Sequence, residues 1–258
     1  MIPCPMPGSK YAAHSRSADC TVGFGLCHTV IMSERQIALT VIAPPSPGWE
    51  DADSETNAVP SMSDLLLLLR RLLSRPLDVA ALAPSSTALA GAMVADLNLT
   101  PGFSILELGP GTGALTAAID RVLRGVPGAR YLGIERDPVF TDHMRARFPT
   151  LRFVEADARD LKRVCMTEEF TRVDAVICAV PLILVPTSAR LQIIQDCDSL
   201  LRPEGEFRAL SYLHSWPRRG ALELRADLRA TFVNTRTRGP VWFNLPPAVI
   251  LSGQSRPS

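Results

Sequence analysis

The pattern of apolar and polar positions changes character near residue 62. Residues 1–61 are rich in Pro, Ser, Gly and small polar groups, with no helical or strand periodicity beyond a short run at 36–43. They read as a low-complexity, disordered tail, or else as sequence upstream of an initiation at Met62. From Ser63 onward apolar residues recur with a helical period. At about 100° per residue, Leu65, Leu66, Leu68, Leu69, Leu72 and Leu73 share one face, while Asp64, Arg70, Arg71, Ser74 and Arg75 share the other. Ser63 or Asp64 caps this helix and Pro76 stops it. A second helix, capped within Pro84-Ser85-Ser86, is predicted through Met93 to about residue 97, before Pro101-Gly102 hands over to a strand.

Beyond that point the periods alternate. Strands are predicted at 104–108, 131–135, 151–155, 173–180 and 205–212, and helices at 114–123, 138–148 and 187–201. Such an order predicts an α/β domain with a mainly parallel sheet covered by helices on both faces. Near the end, 231–238 and 241–245 predict an antiparallel pair turned at Gly239-Pro240, with 248–251 as a final strand. The chain therefore divides into a tail (1–61), amphipathic helices (62–100) and a ligand-binding domain (101–253).

Composition narrows the classes. With 258 residues and 47% hydrophobic content the chain can bury a sizeable core, and a net charge of +1 gives no global field toward nucleic acid. No apolar run reaches the roughly 18 residues of a membrane span, and the first residues lack the pattern of a signal peptide. The six cysteines stand apart, without a CxxC pair or a neighbouring His at ligand spacing. They are expected to be reduced thiols in a cytoplasmic protein, and no metal site is expected.

The chemistry gathers at predicted strand ends, where open α/β sheets place their ligands. The first strand runs into Glu107-Leu108-Gly109-Pro110-Gly111-Thr112-Gly113, a glycine-rich turn that opens a helix. Its Gly-x-Gly-x-Gly spacing differs from the Gly-x-Gly-x-x-Gly of dinucleotide folds, so the loop need not hold a pyrophosphate. Glu107 offers a carboxylate to a cationic ligand. Glu135, at the end of the second strand, stands where such folds place an acid on ribose hydroxyls. Asp157 is placed to accept from an adenine amino group, and Ala158 to offer its N–H to a ring nitrogen. Taken singly, a glycine turn is usually a plain connection and an acid a solvated surface group. The ordered succession on three strand ends points to a nucleoside cofactor.

With these residues the chain resembles class I S-adenosylmethionine-dependent methyltransferases, and within them the bacterial phospholipid N-methyltransferases of the soluble type. The likeness runs from about Asp64 to Val249. It is carried by Arg75-Pro76-Leu77 with Ala83-Pro84-Ser85-Ser86, residues 107–116, Gly133-Ile134-Glu135-Arg136-Asp137-Pro138, and Val180-Pro181-Leu182 with Pro186. Arg238-Gly239-Pro240-Val241-Trp242 and Asn244-Leu245-Pro246-Pro247-Ala248 add to it. The resemblance implies a Rossmann-like fold: a mainly parallel seven-stranded sheet with helices on both faces and an antiparallel carboxy-terminal strand pair. It implies S-adenosylmethionine as cofactor, held by Glu107, Gly109, Gly111, Gly113, Glu135 and Asp157. It also implies methyl transfer to the headgroup of phosphatidylethanolamine, towards phosphatidylcholine. Two segments depart from the family pattern near the acceptor: Cys178-Ala179-Val180-Pro181-Leu182 replaces Ser-Gly-Leu-Pro-Leu, and Tyr212-Leu213-His214 replaces Tyr-Gly-Pro.

On this reading Pro181 and Leu182 border the acceptor, and Tyr212 faces the headgroup as the catalytic candidate, its alternative being an ordinary core-edge tyrosine. His214 is a base candidate or a surface histidine; Arg218 and Arg219 hold the lipid phosphate or form an exposed pair. The 65–73 helix either lies reversibly on an anionic bilayer or packs over the cofactor site. The protein is then expected to be cytoplasmic and peripheral to the inner face of the cell membrane, with no DNA partner. Two alternatives stay open. One is an RNA adenine N6-dimethyltransferase, whose Asn-x-Pro-aromatic acceptor motif finds only Ala179-Val180-Pro181-Leu182 here. The other is a membrane-binding protein that kept the fold and lost turnover.

Overall fold

The computed structural model describes residues 85–257; the predicted 65–73 helix and the 1–61 segment lie outside them. The first described helix, α1 (Thr87–Val94), begins where the Ser86 hydroxyl accepts from the Leu89 N–H at 3.1 Å. This satisfies one of the N–H groups that every helix start leaves unbonded. The helix ends short of the predicted residue 97, because Asp96 adopts a left-handed conformation (φ 59°) that a helix does not continue through.

The alternating segment folds as β1 (Ser104–Leu108), α2 (Ala114–Leu123), β2 (Arg130–Glu135), α3 (Pro138–Arg147), β3 (Arg152–Glu155), α4 (Leu161–Thr167) and β4 (Val173–Cys178). It continues as α5 (Thr187–Leu200), β5 (Leu201–Tyr212), α6 (Arg219–Thr231), β6 (Val233–Val241) and β7 (Ala248–Gln254). The strands make a seven-stranded sheet in the order β3-β2-β1-β4-β5-β7-β6. Pairing from β3 to β5 is parallel, whereas β7 runs antiparallel to both β5 and β6. The expected α/β architecture with its antiparallel end is thus observed.

Side chains alternate between two apolar layers, as the pleat requires. Leu106, Leu108, Ile134, Val176 and Phe207 pack under α4, α5 and α6. Ile105, Tyr131, Phe153, Ile177 and Ile250 pack under α1, α2 and α3. Each fully buried residue of this size contributes on the order of 2 kcal/mol. The two arginines that are almost wholly buried against these layers both have partners. Arg190 of α5 bonds Asp227 at 2.8 Å and Glu223 at 3.4 Å, tying α5 to α6. Arg208 of β5 is matched by Glu206 and by the Met93 and Ala95 carbonyls at the end of α1, groups that the helix itself leaves unbonded.

Three features differ from expectation. α4 and α6 form where no helix is predicted: α4 is short, and the buried stripe of α6 includes Arg225 while Leu222 on the same helix is exposed. β5 starts at Leu201 rather than 205, reaching back past a bulge to pair with Val173. The chain also does not turn at Gly239-Pro240. β6 runs straight through that dipeptide with an irregular register, and residues 242–247 make the turn instead. The cause is burial: Ala248, Val249, Ile250 and Leu251 are the apolar run, so this segment takes the protected place between β5 and β6.

Replacing Arg208 with Ala leaves Glu206 and two helix-end carbonyls without their buried cation. Urea unfolding is expected to show a loss of about 3 kcal/mol, from the usual cost of breaking a buried ion pair, and a loss under 1 kcal/mol would contradict this role.

Candidate active site

Strand order reverses between β1 and β4, since β1 is followed outward by β2 and β3 while β4 is followed by β5 on the other side. Ligands of open α/β sheets bind at such a reversal, beyond the carboxyl ends of the strands. Here the segments that follow β1 and β4 meet closely. The Ala179 N–H donates to the Leu108 carbonyl at 2.8 Å, and a Cβ on Gly109 would lie 3.2 Å from Val180 Cγ2. Gly109, Gly111 and Gly113 all hold φ between 57° and 85°, a region open to glycine and strained for other residues. Gly113 sits directly before α2, so the loop ends on a helix start as predicted.

Two carboxylates support this loop from below. Glu107 is fully buried, and its Oε2 accepts from Thr116 at 2.8 Å and from the Tyr131 hydroxyl. The register places Gly133 opposite Glu107, and a Cβ there would lie 2.7 Å from the Tyr131 oxygen. The bare backbone at 133 is what lets the phenol reach the carboxylate. Glu107 Oε1 is buried without a hydrogen-bond partner. Burial pushes the Glu107 carboxyl up to about 7, while the Tyr131 and Thr116 hydroxyls pull it down and the charge of Glu135 raises it further.

Glu135 is also buried, and its carboxyl is raised by burial against the opposing pull of backbone N–H groups. Oε2 accepts from the Gly111 N–H and Oε1 from the Asp137 N–H, each at 3.0 Å. The carboxylate is therefore a latch on the glycine loop as well as the expected ribose acceptor, since a carboxylate offers about four acceptor sites and the backbone N–H groups of Gly111, Arg136 and Asp137 use three. Neither acid bonds a cationic side chain among the described residues. Two buried acids beneath a glycine loop, one with an orphaned oxygen, suit a ligand that carries positive charge and presents hydroxyl donors.

Asp157 follows β3, as predicted, but its carboxylate is not open. Arg159 holds it through Nε and Nη2, both at 2.9 Å, which keeps its pKa below the ordinary value. The Arg159 side chain is 61% exposed, and such surface pairs are worth little, so a ligand can displace it. Ala158 opens a one-turn 3-10 helix, where its N–H has no acceptor within the turn.

The predicted acceptor residues converge. A cavity of about 170 Å³ beyond β4 and β5 is lined by Pro181, Leu182, Leu184, Ser211, Tyr212, His214, Arg218 and Pro246, among others. The Tyr212 ring is mostly buried and lies over His214, with centroids 5.8 Å apart and planes 18° apart. Burial raises the Tyr212 hydroxyl above the ordinary phenol value, so it stays neutral near pH 7 and is not a base. Arg219, paired with Glu223 at 2.7 Å, is not among the lining residues, whereas Arg218 is. Sequence reasoning missed Ser211, whose hydroxyl is buried without a hydrogen-bond partner. It also missed Tyr131, which the β1–β2 register brings to Glu107, and Thr116, which the first turn of α2 brings there.

A family model described as a methyltransferase domain matches residues 105–205. The ornithine lipid N-methyltransferase of Singulisphaera acidiphila is 30% identical over 154 residues, covering 58% of this chain and 79% of that protein. The ribosomal RNA small subunit methyltransferase A of Prosthecochloris aestuarii is 31% identical over 77 residues, 30% of this chain and 28% of that protein. A TehB-like S-adenosylmethionine-dependent methyltransferase from Corynebacterium glutamicum has the same fold, with a TM-score of 0.50 at 16% identity over 75% of this chain and 97% of that one. The chain belongs to the class I S-adenosylmethionine-dependent methyltransferases. Its cofactor is S-adenosylmethionine, and the acids below the glycine loop fit the charge and hydroxyls of that molecule.

A cation bound over Glu107 favours its ionised form, whereas the free protein holds the proton below about pH 7. Cofactor affinity, measured by calorimetry, is therefore expected to fall as pH drops below about 7, by up to about tenfold per unit. Glu107→Gln is expected to flatten that profile and weaken binding at pH 8. Stability carries the opposite sign. The folded carboxyl holds its proton more tightly than the unfolded one, so stability declines by about 3 kcal/mol as pH rises from about 4.5 to about 7. Urea titrations of wild type and Glu107→Gln across that window check it; parallel curves would rule out the buried, protonated carboxyl.

Proposed function

We propose that this methyltransferase acts on the amino headgroup of a membrane lipid. The sequence resemblance points to phosphatidylethanolamine, and the relative from Singulisphaera acidiphila points to an ornithine lipid. The observation that carries the reading is the cavity beyond β4 and β5, whose lining includes Ala179 and Pro181 on either side of the Val180 that Gly109 approaches. At about 170 Å³ it is smaller than the roughly 300 Å³ at which drug-sized pockets begin, so it suits a headgroup whose acyl chains stay outside. Its walls are mainly apolar, with a cation at Arg218 and hydroxyls at Ser211 and Tyr212.

In the proposed division of roles, Glu107, Gly109, Gly111, Gly113, Glu135, Asp157 and Ala158 hold the cofactor. When bound, S-adenosylmethionine supplies an electrophilic methyl group on its sulfonium. The protein's part is to hold a neutral amine in line with that methyl and to let one proton leave. Pro181 and Leu182 exclude water from one side of the amine, and Arg218 attracts the phosphate or carboxylate of the headgroup. Tyr212 contributes an uncharged hydroxyl and the exposed part of its ring, against which a methylated ammonium gains a cation–π contact. Water accepts the proton at the open side of the cavity. On this reading the protein works at the cytoplasmic, inner face of the cell membrane.

The decisive assay incubates the full chain with methyl-labelled S-adenosylmethionine and four acceptors: vesicles with phosphatidylethanolamine, vesicles with ornithine lipid, vesicles lacking any amino lipid, and ribosomal RNA. Label is expected in an amino lipid alone. Label in RNA would favour the activity named for the Prosthecochloris relative, and label nowhere would leave a fold without turnover. Arg218→Ala is expected to raise KM for the lipid severalfold with little change in kcat. Gly111→Arg, at a position where a Cβ meets nothing closer than 3.9 Å, is expected to abolish cofactor binding while leaving vesicle binding intact.

A further inference from the structure

The turn between β6 and β7 presents large apolar side chains to solvent. Trp242 is 59% exposed, Phe243 82% and Leu245 85%. Such a cluster is unusual on a water-soluble surface, where contiguous apolar patches mark interaction sites. The loop that carries it is not loose. Asn244, within the cluster, is almost wholly buried: its Oδ1 accepts from the Ser86 N–H at 2.8 Å and its Nδ2 donates to the Pro246 carbonyl at 2.7 Å. The Leu213 N–H donates to the Pro247 carbonyl at 2.8 Å, pinning the loop to the end of β5. A turn held by a buried amide while its neighbours point outward is built to display them.

We infer that residues 242–245 form a wedge that enters the surface of a lipid bilayer and holds the mouth of the acceptor cavity against it. Continuity with the site argues for this occupant. Pro246, the next residue, lines the cavity, and Leu184, 57% exposed, lines it from the β4 side. Arg218 lies on the same rim, exposed and without an ion-pair partner among the described residues, which complements an anionic surface. Trp at a rim between water and apolar phase is the residue that interfaces favour, with Phe and Leu entering deeper. The wedge rests on the lipid reading above and adds to it a means of extraction: the headgroup enters a cavity already seated at headgroup depth.

The test uses the full chain and vesicles of phosphatidylcholine with anionic phosphatidylglycerol, with and without brominated acyl chains. Tryptophan emission of wild type is expected to be quenched by brominated chains, and most of that quenching is expected to vanish in Trp242→Phe, which leaves Trp49 and Trp216 as reporters. The triple variant Trp242→Ser, Phe243→Ser, Leu245→Ser is expected to lose at least tenfold in sedimentation with vesicles. Its thermal midpoint should barely move, because the replaced side chains are exposed; should it fail to fold, the Trp242→Phe quenching decides alone. Undiminished quenching in Trp242→Phe, or unchanged sedimentation of a folded triple variant, overturns the wedge. Protection of Trp242 from a water-soluble quencher before lipid is added also overturns it, showing that residues 1–84 or a second copy covers the patch. Binding is read here without turnover. Vesicle binding through the wedge with no label in lipid therefore sinks the proposed function alone, and labelled lipid without quenching sinks the wedge alone.

Discussion

The close passage of two backbones at Gly109 and Val180 sets the geometry of everything at the carboxyl edge of the sheet. Because no side chain separates them, the Ala179 N–H can bond the last carbonyl of β1 and the loop after β4 can lie against the glycine turn. The glycine turn and the segment after β4, whose Ala179 and Pro181 line the cavity proposed for the acceptor, are then neighbours in the chain's packing. A side chain at 109 would act twice, straining a left-handed residue and pushing Val180 away from the glycine turn. Methyl transfer depends on alignment of two reactants more than on acid–base chemistry, so this contact matters more than any single polar group around it.

Beneath that contact the protein tolerates an electrostatic conflict. Glu107 and Glu135 are both buried, both raised by desolvation, and near enough for the charge of Glu135 to raise Glu107 further. The fold softens this with neutral donors, Tyr131 and Thr116 on one acid and the backbone at Gly111 and Asp137 on the other. Neutral donors share the charge without cancelling it. What cancels it must come from outside, which is how a stability deficit in the free protein becomes affinity for a cationic ligand.

The sequence made some parts legible and concealed others for identifiable reasons. β1, α2 and the glycine turn were readable because local signals agree: an apolar strand, glycines where φ must be positive, and an amphipathic helix directly after. The place of Glu135 at a strand end is legible in the sequence, whereas its hydrogen bond from Gly111 belongs to tertiary structure. The place of Asp157 just after β3 is likewise legible, but its pairing with Arg159 is not, since a bidentate pair two residues apart leaves no periodic trace. The carboxy-terminal strands misled because Gly239-Pro240 carries turn chemistry, yet the burial of Ala248, Val249 and Ile250 between two strands outweighs it. Trp242, Phe243 and Leu245 fall in a segment whose apolar character predicts a strand; only the position of the turn shows that they face water.

The bond from Ser86 to Asn244 couples the start of α1 to the turn between β6 and β7. Ser86 caps α1 and, through its N–H, holds the loop that borders the acceptor cavity. One serine thus serves two elements 158 positions apart in the chain, its hydroxyl fixing the first turn of α1 and its N–H fixing the turn before β7. Loss of the Asn244 amide would free that N–H and the turn together, so the start of α1 and the turn that carries Pro246 to the cavity wall belong to one hydrogen-bonded unit.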